Sequence, residues 1–439
     1  MGDVKQTVFN VKAFDAIGDG QHLDTKAIQK AIDMAAIEQG TVIIPAGTYL
    51  VGALFLKSHV TLTLTQNAKL IGSTDINDFP EVFSRVAGVE MNWPAAIINL
   101  LTVTDVTING FGTIDGQGPH WWAEYWGEDT KSGRRQWYDE HDLRWIADYD
   151  IKRPRSILVY KSDHILIQDI TLRQSGFWNL QLTYTTDVEV AHITIKENDG
   201  PSTDGIDVDS STRVHIHDCS LACGDDCIAL KSGRDGDGYR VGKATSQVEI
   251  DHCTIHSGYG VTIGSEVSGN IHDVRIHDMT FENSGCGFRM KSARDRGGII
   301  ENIRVENLKM KNVQFPFSWL MAWHNQYNAK KAIDLKDKPD FWRAVAAQIP
   351  EGQSRLTQVR NIVVQNVTAE LTADYTLPAR AFDLKAFPDQ PMADISFKAI
   401  EIEGKEFGNI VGVKHLQFDD VTVSALHDNQ TSNDEYDNR

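Results

Sequence analysis

Three carboxylates recur at matching positions of a short repeated phrase in the middle of the chain. Asp204 opens the phrase Asp-Gly-Ile-Asp-Val-Asp-Ser, and Asp226, directly preceded by Asp225, opens Asp-Cys-Ile-Ala-Leu-Lys-Ser. Related phrases begin at Tyr259 and at Cys286. If these phrases form neighbouring strands, which lie about 4.8 Å apart in a sheet, the first residues of the phrases form a line on one outer face.

The last of these phrases adds two cations to the same face. Arg289 and Lys291 are two residues apart, so on one strand their side chains point the same way. A single Asp is more simply interpreted as a solvated turn residue. Three Asp residues in register with an Arg/Lys pair instead predict a site, because crowding raises the pKa of one carboxyl and leaves another ionised.

The chemistry predicted from this pattern is glycoside hydrolysis. One carboxyl group protonates the leaving oxygen while another activates water. The two cations are suited to holding the carboxylate of a uronic acid.

The elements that must position these residues are repeated strands. The phrase apolar-x-apolar-x-Asp/Asn/His-x-x-apolar begins at Val188, Val214, Val248, Val274, Ile303, Ile362 and Leu416, with weaker copies at Val60, Val106, Ile165 and Ile395. Clear neighbours are roughly 21 to 34 residues apart, a spacing typical of one solenoid coil. Each copy alternates with period two and is rich in Val, Ile and Thr. The predicted fold is therefore all-β, a right-handed parallel β-helix with one strand of each sheet per coil.

The domain prediction is a single β-helix over residues 1–424. Residues 22–40 are predicted to form an N-terminal capping helix, with Asp24 as its N-cap and Gly40 after its end. Residues 117–155 and 315–355 interrupt the coil rhythm as loop insertions. The polar segment 425–439 is predicted to be a flexible tail.

The first insertion is rich in aromatic and basic residues. Trp121 and Trp122 are predicted to bind substrate, since sugar rings stack on indoles. The alternative is that this insertion has a small aromatic core of its own. The second insertion is expected to be a lid or a packing element.

Composition excludes several classes of partner. With 43 Lys+Arg against 61 Asp+Glu, the formal net charge is −18, which argues against nucleic acid and anionic membranes. No apolar run reaches the ~18 residues of a membrane span. The opening Met1–Lys5 lacks the apolar core of a secretory signal, so a cytoplasmic protein is expected, although a secreted protein without its signal would read the same.

The cysteines predict neither disulfides nor a zinc site. There are five, an odd number, and each lies beside apolar strand-like residues. The spacing of Cys219, Cys223 and Cys227 lacks the paired Cys-x-x-Cys form of zinc sites. We expect buried, reduced thiols, and no metal or other cofactor.

Several motifs together resemble the polygalacturonase family, glycoside hydrolase family 28. The family's Asn-Thr-Asp, Gly-Asp-Asp and Arg-Ile-Lys motifs are matched by Ser202-Thr203-Asp204, Gly224-Asp225-Asp226 and Arg289-Met290-Lys291. The similarity extends to the opening, Gly18-Asp19-Gly20 and Pro45-Ala46-Gly47-Thr48-Tyr49, and covers the chain from near residue 8 to about 425.

The resemblance implies cleavage of α-1,4-linked galacturonic acid residues in pectin or pectic oligosaccharides, by a monomeric enzyme. Asp225 would be the general acid, and Asp204 and Asp226 would position and deprotonate the water. Arg289 and Lys291 would bind the sugar carboxylate. The family's inverting mechanism implies a gap of about 6.5–9.5 Å between acid and base.

One departure from the family pattern concerns substrate identity. Tyr259 stands where many polygalacturonases have His, and Tyr, with an ordinary pKa near 10, cannot serve as the same protonation switch. Family members acting on rhamnogalacturonan also lack that His, so a rhamnogalacturonan hydrolase is an alternative. Tyr259 is retained as a substrate-binding candidate.

The loop Ser232–Tyr239 resembles that of bacterial exo-acting members, whose insertions block one end of the cleft. The chain is therefore predicted to release single sugars from the non-reducing end. Lys231 and Arg234, beside this loop, are further substrate-binding candidates.

Two alternatives belong to other classes of protein. A β-helical pectate lyase would use clustered acids to bind Ca²⁺ and a base for elimination. A non-catalytic carbohydrate-binding solenoid would keep the aromatic side chains and lack turnover.

Overall fold

Strands are the commonest element in the part of the chain that the computed structural model describes, residues 7–328, 330 and 332–425. Up to the first insertion they are β1 (Val8–Asn10), β2 (Asp19–Leu23), β3 (Thr41–Ile44), β4 (Gly47–Val51), β5 (Leu54–Phe55), β6 (Thr61–Leu64), β7 (Ala68–Gly72), β8 (Glu81–Val86), β9 (Val89–Pro94), β10 (Ile98–Leu101), β11 (Thr104–Gly110) and β12 (Thr113–Asp115).

The middle coils contain shorter and more regular strands. They are β13 (Ile157–Tyr160), β14 (Asp163–Gln168), β15 (Thr171–Arg173), β16 (Leu180–Thr183), β17 (Thr186–Ala191), β18 (Thr194–Asn198), β19 (Ile206–Asp209), β20 (Thr212–His217), β21 (Ser220–Cys223), β22 (Ile228–Lys231), β23 (Thr245–Asp251), β24 (Thr254–Ile255) and β25 (Val261–Ile263).

In the last coils two short strands fuse into one long strand. The elements are β26 (Ile271–Glu282), β27 (Cys286–Lys291), β28 (Ile299–Lys311), β29 (Phe315–Leu320), β30 (Gln358–Glu370), β31 (Arg380–Lys385), β32 (Met392–Gly404), β33 (Glu406–Val411) and β34 (Val413–Ala425). The helices are α1 (Thr25–Glu38), α2 (Gly118–Trp126), α3 (Arg134–Glu140), α4 (Arg144–Asp150), α5 (Asp235–Val241), α6 (Asn325–Asn328) and α7 (Asp340–Ala346).

These strands stack coil on coil. An 11-stranded sheet runs in coil order from β5 through β19, β22, β25 and β27 to β33, and its pairs are parallel. The other 21 paired strands form two ladders, which merge where β26 pairs with both β23 and β24. The one antiparallel pair of named strands among the described residues is the hairpin β8–β9. The predicted right-handed parallel β-helix is confirmed.

The Asp/Asn/His position of the repeated phrase is the corner of each coil. Asp218, Asp278 and Asn307 occupy three versions of this corner, each with φ between 53° and 57°, in the left-handed region. Asp and Asn tolerate that conformation better than other residues with a Cβ. The corners also bond along the stack, since Asn307 Nδ2 donates to Asp278 Oδ1 at 2.9 Å. Asp and Asn therefore favour the turn at these corners, although Ala399 adopts the same conformation in the coil of β32.

The residues that alternate with these polar positions fill the interior of the helix. Val190, Ile216, Ile250 and Ile276, at equivalent positions of successive coils, are fully buried. All five cysteines are buried with free thiols, as predicted. The core is thus a continuous stack of aliphatic side chains, which suits strands that must repeat at one spacing.

Helix α1 lies within the predicted segment 22–40 and buries one face on the first coil. Its buried residues are Ile28, Ala31, Ile32 and Ala35. The Asp24 side chain does not cap the helix as expected; its carboxylate accepts hydrogen bonds from the backbone N–H groups of Ile17 and Gly18, at 2.6 and 2.8 Å. The helix is present, and its function as a cap stays a prediction.

The two insertions share a second hydrophobic core outside the coils. Tyr125 and Trp145 of the first pack in one cluster with Trp342 of the second and with Trp178 of the coils. The segment 315–355 opens with a ladder strand, β29, so the insertion proper starts after Leu320 and not at residue 315. Of the predicted tail 425–439, all but Ala425 lies outside the described residues. In the described part of the chain, each helix is too short or too polar to span a bilayer.

The left-handed conformation at the corners predicts which substitutions the protein tolerates there. We expect Asn307→Val to lower the free energy of unfolding by about 1–2 kcal/mol more than Asn307→Gly, because a β-branched side chain is strained at this φ of 57° and glycine is not. Both variants lose the same side-chain hydrogen bonds, so the difference isolates the backbone term. Urea unfolding measures it; equal stabilities would contradict the corner assignment.

Candidate active site

The ladder β19–β22–β25–β27 sets the vertical alignment of the candidate site. Its paired positions in coil order are Ile206, Ile228, Val261 and Phe288. Asp204, Asp226 and Tyr259 each precede these paired positions by two residues, so the structure has the register that the repeated phrases predict. Residues more than fifty positions apart are thereby brought onto one wall.

The three predicted catalytic carboxyl groups converge. One oxygen each of Asp204, Asp225 and Asp226 lies within 4.8 Å of the others. Asp204 and Asp226 are 3% and 0% exposed, whereas Asp225 is half-buried. Three carboxyl groups this close, largely out of water, cannot all be ionised without compensating charge.

Cations supply that compensation mainly at Asp226. Lys291 Nζ lies 2.6 Å from its Oδ2, and an Arg289 guanidinium nitrogen lies 3.3 Å from its Oδ1. The Thr262 hydroxyl donates to the same Oδ1 at 2.7 Å. Lys231 Nζ lies 3.6 Å from Asp204. The Arg/Lys pair is therefore in direct contact with the carboxylates.

The three carboxyl groups consequently differ in protonation. Burial opposes ionisation of Asp226, but Lys291 and Arg289 outweigh it and lower the pKa of Asp226 to about 2. Burial and the neighbouring Asp226 raise the pKa of Asp225 above its usual value. Burial together with Asp207 and Asp225 raises the pKa of Asp204 well above its usual value. One ionised carboxylate thus lies beside two carboxyl groups that favour the protonated form.

Two further acids in this wall were not singled out from the sequence. Lys231 Nζ lies 3.5 Å from Asp207 Oδ1 and 3.3 Å from Glu266 Oε2. Burial raises the pKa of Asp207 to about 8, although Lys231 opposes the rise. Asp207 alternates with the apolar Ile206 and Val208, which was the signal that it faces outward with the site.

The insertions supply most of the remaining wall of the cavity. Arg144 and Tyr149 come from α4, and Trp323 and Tyr327 come from the second insertion. Trp178 lines the same cavity from the coils, with Lys231 Nζ 4.9 Å from the centre of its ring. None of these five was predicted as a site residue. The approach of the four from the insertions depends on how these long segments fold back on the coils.

Five of the predicted substrate-binding residues lie in or beside this cavity. Lys231, Arg234 and Lys291 line it. Arg234 is buried and donates to the Tyr149 hydroxyl at 2.5 Å, so it also fixes the position of Tyr149 in the cavity wall. Arg289 lies with its guanidinium carbon 4.5 Å from the centre of the Tyr259 ring, which places both beside Asp226.

The aromatic pair of the first insertion lies elsewhere. Trp121 is 3% exposed, belongs to the main core and donates its indole N–H to the Gly116 carbonyl, so its predicted role in sugar binding is corrected to packing. Trp122 is half-buried and donates to the Ser175 carbonyl at 2.9 Å. Its role in binding stays a prediction.

Comparison with known proteins identifies the family. The sequence profile of Glycosyl hydrolases family 28 matches residues 35–337. A probable polygalacturonase of Vitis vinifera is 34% identical over 382 residues, covering 82% of this chain and 74% of that protein. An exo-poly-alpha-D-galacturonosidase of Dickeya chrysanthemi is 28% identical over 457 residues, covering 95% of this chain and 71% of that protein.

A solved structure supports the fold. The exopolygalacturonase of Thermotoga maritima superposes with a TM-score of 0.76 at 24% identity, covering 95% of this chain and 92% of that one. At this identity the likeness concerns the fold alone. It agrees with the parallel β-helix described above.

The correction at Trp121 can be tested by stability. We expect Trp121→Ala to lower the free energy of unfolding by about 3–5 kcal/mol, because the indole is buried in the main core. The matched control is Trp137→Ala in the same insertion, whose residue is 47% exposed and for which we expect a change below about 1 kcal/mol. Denaturant unfolding measures both, and similar losses in the two variants would contradict the assignment.

Proposed function

Because the chain belongs to glycosyl hydrolases family 28, we propose that it hydrolyses α-1,4-linked galacturonic acid residues of pectin or pectic oligosaccharides, one sugar at a time from the non-reducing end. The observation that carries this proposal is the convergence of Asp204, Asp225 and Asp226 with Arg289 and Lys291 on one wall. Acid, base and a counter-charge for a uronate are thus within reach of one glycosidic bond.

The roles follow the family resemblance, and the surroundings of each group support them. Asp225, the most exposed of the three and raised in pKa by burial and by Asp226, is the general acid. Asp226, held ionised by Lys291, accepts the proton of the attacking water. Asp204 is close to both and positions that water through hydrogen bonds. Asp226 alone is thus proposed as the base, whereas the sequence predicted that Asp204 and Asp226 share this role.

The cations recognise the substrate's own carboxylate. Arg289 and Lys291 are 11% and 7% exposed at their side chains, and Lys291 lines the cavity. Lys291 Nζ also lies 4.7 Å from the centre of the half-buried Trp323 ring, a surface on which a sugar ring can stack. A galacturonate ring placed against Trp323 would bring its carboxylate to both cations.

The insertions favour exo action. Arg144, Tyr149 and Tyr327 stand on the wall of the cavity, which therefore ends against helical insertions on that side. A chain end fits such a site better than the middle of a polymer. The Dickeya chrysanthemi relative, which covers 95% of this chain, is named as an exo-acting enzyme.

Inversion at the anomeric carbon is proposed from the family resemblance. The nearest oxygens of the three carboxyl groups lie within 4.8 Å, closer than the gap of about 6.5–9.5 Å expected between an inverting acid and base. This separation by itself does not favour inversion. Product stereochemistry is accordingly part of the test.

The charge pattern disfavours calcium-dependent elimination. A lyase of that class would use its clustered carboxylates as Ca²⁺ ligands. Here Lys291 and Arg289 contact Asp226, and Lys231 contacts Asp204, so the carboxylates already have cationic partners.

Product analysis tests the proposed activity. Incubation with polygalacturonate should release galacturonic acid as the sole early product, with the β-anomer formed first in the NMR time course and no unsaturated, ultraviolet-absorbing sugars. Early oligomers would contradict exo action, an α-anomer would contradict inversion, and turnover of rhamnogalacturonan alone would favour the alternative that Tyr259 raises.

The matched variants for this assay are Asp225→Asn and Asp218→Asn. Loss of the general acid should lower kcat by about 10²–10⁴-fold while oligogalacturonate binding, measured by calorimetry, is kept. Asp218 is an exposed corner residue whose replacement by Asn keeps the left-handed conformation, so it should leave kcat unchanged. Wild-type turnover in Asp225→Asn would overturn the catalytic assignment.

A pH profile tests the coupling between Lys291 and Asp226. Lys291 holds the pKa of Asp226 at about 2, so removing its charge in Lys291→Met should raise that pKa and move the acidic limb of kcat/KM to higher pH. Lys291→Arg keeps the charge and should leave the limb near its wild-type position. A limb that does not move in Lys291→Met would show that another group governs it.

A further inference from the structure

A cluster of imidazoles and carboxylates lies on a different sheet from the catalytic carboxyl groups. His215 on β20, Glu249 and Asp251 on β23, and His277 on β26 face outward from three successive coils. The ladder pairs His215 with Glu249, and Asp251 with His277. These four residues, here called the histidine–carboxylate cluster, thus lie in a staggered line across three rigid strands.

The potential ligand atoms of this cluster point at one another. His215 Nε2 lies 2.6 Å from Asp251 Oδ2, and His277 Nε2 lies 3.0 Å from Glu249 Oε1 and 3.9 Å from Asp251 Oδ2. Four ligands around a tetrahedral zinc ion, at about 2.0–2.2 Å from the metal, are about 3.3 Å apart. The observed separations bracket that value, so small side-chain rotations would complete the coordination.

Neighbouring side chains orient these potential ligands in the way that is usual in metal sites. His277 Nδ1 lies 2.6 Å from Asp278 Oδ2, which leaves its Nε2 directed at Glu249 and Asp251. A carboxylate on the far nitrogen of an imidazole is the usual support of a metal-binding histidine. Asp251 is held in turn, since its Oδ1 lies 2.5 Å from His252 Nδ1.

We propose that the histidine–carboxylate cluster binds one first-row transition-metal dication, with Zn²⁺ as the probe. Two imidazole nitrogens and two carboxylate oxygens suit Zn²⁺ and related ions, whereas Ca²⁺ and Mg²⁺ prefer oxygen ligands alone. Asp251 and His277 are only 11% and 10% exposed at their side chains, so bound water would be largely displaced.

Arg275 is the competing cation. Its guanidinium lies 3.1 Å from Glu249 Oε1 and 3.1 Å from Glu306 Oε2. Glu306 gives Arg275 a second acceptor when Glu249 turns to the metal. Glu249, Asp251 and His277 each have a ligand atom within 4.8 Å of the others and form the core of the site, and His215, which contacts Asp251, is the fourth ligand.

The consequence of binding is mechanical. One ion would join β20, β23 and β26, which are otherwise held by ladder hydrogen bonds and side-chain packing. An ion that binds the folded chain and not the unfolded chain raises the melting temperature, by an amount that grows with the logarithm of the ion concentration over its Kd.

Calorimetry on the metal-stripped full chain tests the proposal. We expect one Zn²⁺ to bind per cluster, with binding at least about 10-fold weaker in His277→Gln. Asp278→Asn removes only the carboxylate that orients His277 and should lower the Zn²⁺ affinity by about 10–100-fold. If His277 only formed ion pairs with its neighbours, this substitution would not be expected to change Zn²⁺ binding. Wild-type Zn²⁺ affinity in His277→Gln, or no Zn²⁺ binding to the wild-type chain, would overturn the proposal.

The control variant is His164→Gln. His164 also contacts two carboxylates, Asp163 at 2.7 Å and Asp187 at 3.9 Å, but Arg213 pairs with Asp187 at 2.6 Å. Zn²⁺ affinity should be unchanged in this variant. Zn²⁺ should also raise the melting temperature of the wild-type chain and not of His277→Gln, and a chelator should reverse the rise; circular dichroism checks that each variant is folded. Equal melting shifts in the wild-type chain and His277→Gln would contradict the assigned location.

Discussion

Hydrogen bonds between strands of successive coils fix each outward side chain relative to the coils above and below it. A one-residue slip would turn the outward residues of β19 and β22 into the core, so the register is strongly specified. Corner residues such as Asp278 and Asn307, which lie within β26 and β28, bend these long strands through their left-handed conformation. The candidate active site and the histidine–carboxylate cluster both depend on this register.

The second constraint is the balance of charge among the carboxyl groups that the strand register brings together. Burial raises the pKa of Asp204 and Asp225, while Lys291 and Arg289 keep Asp226 ionised. The same carboxylates would be equivalent in water. Their proposed division into acid and base therefore depends on the positions of the cations and on desolvation, both of which are properties of the folded chain.

The two insertions determine which part of a polysaccharide chain fits the cavity. Coils alone form an open groove along the solenoid, suited to a long polymer. Helix α4 of the first insertion and the segment with Tyr327 of the second pack into one hydrophobic cluster and reach the cavity together. This shared packing closes the groove on one side, and the proposed preference for chain ends follows from it.

The sequence by itself determined the repeating strands, the register of the four phrases and the identity of the charged residues in them, because these depend on local alternation and on a regular coil spacing. It did not determine that Trp121 is buried, that Asp24 bonds a loop instead of its helix, or that Arg144 and Trp323 reach the cavity. Those outcomes depend on how insertions without a repeat pack against the coils, and only the tertiary structure brings such distant segments into contact.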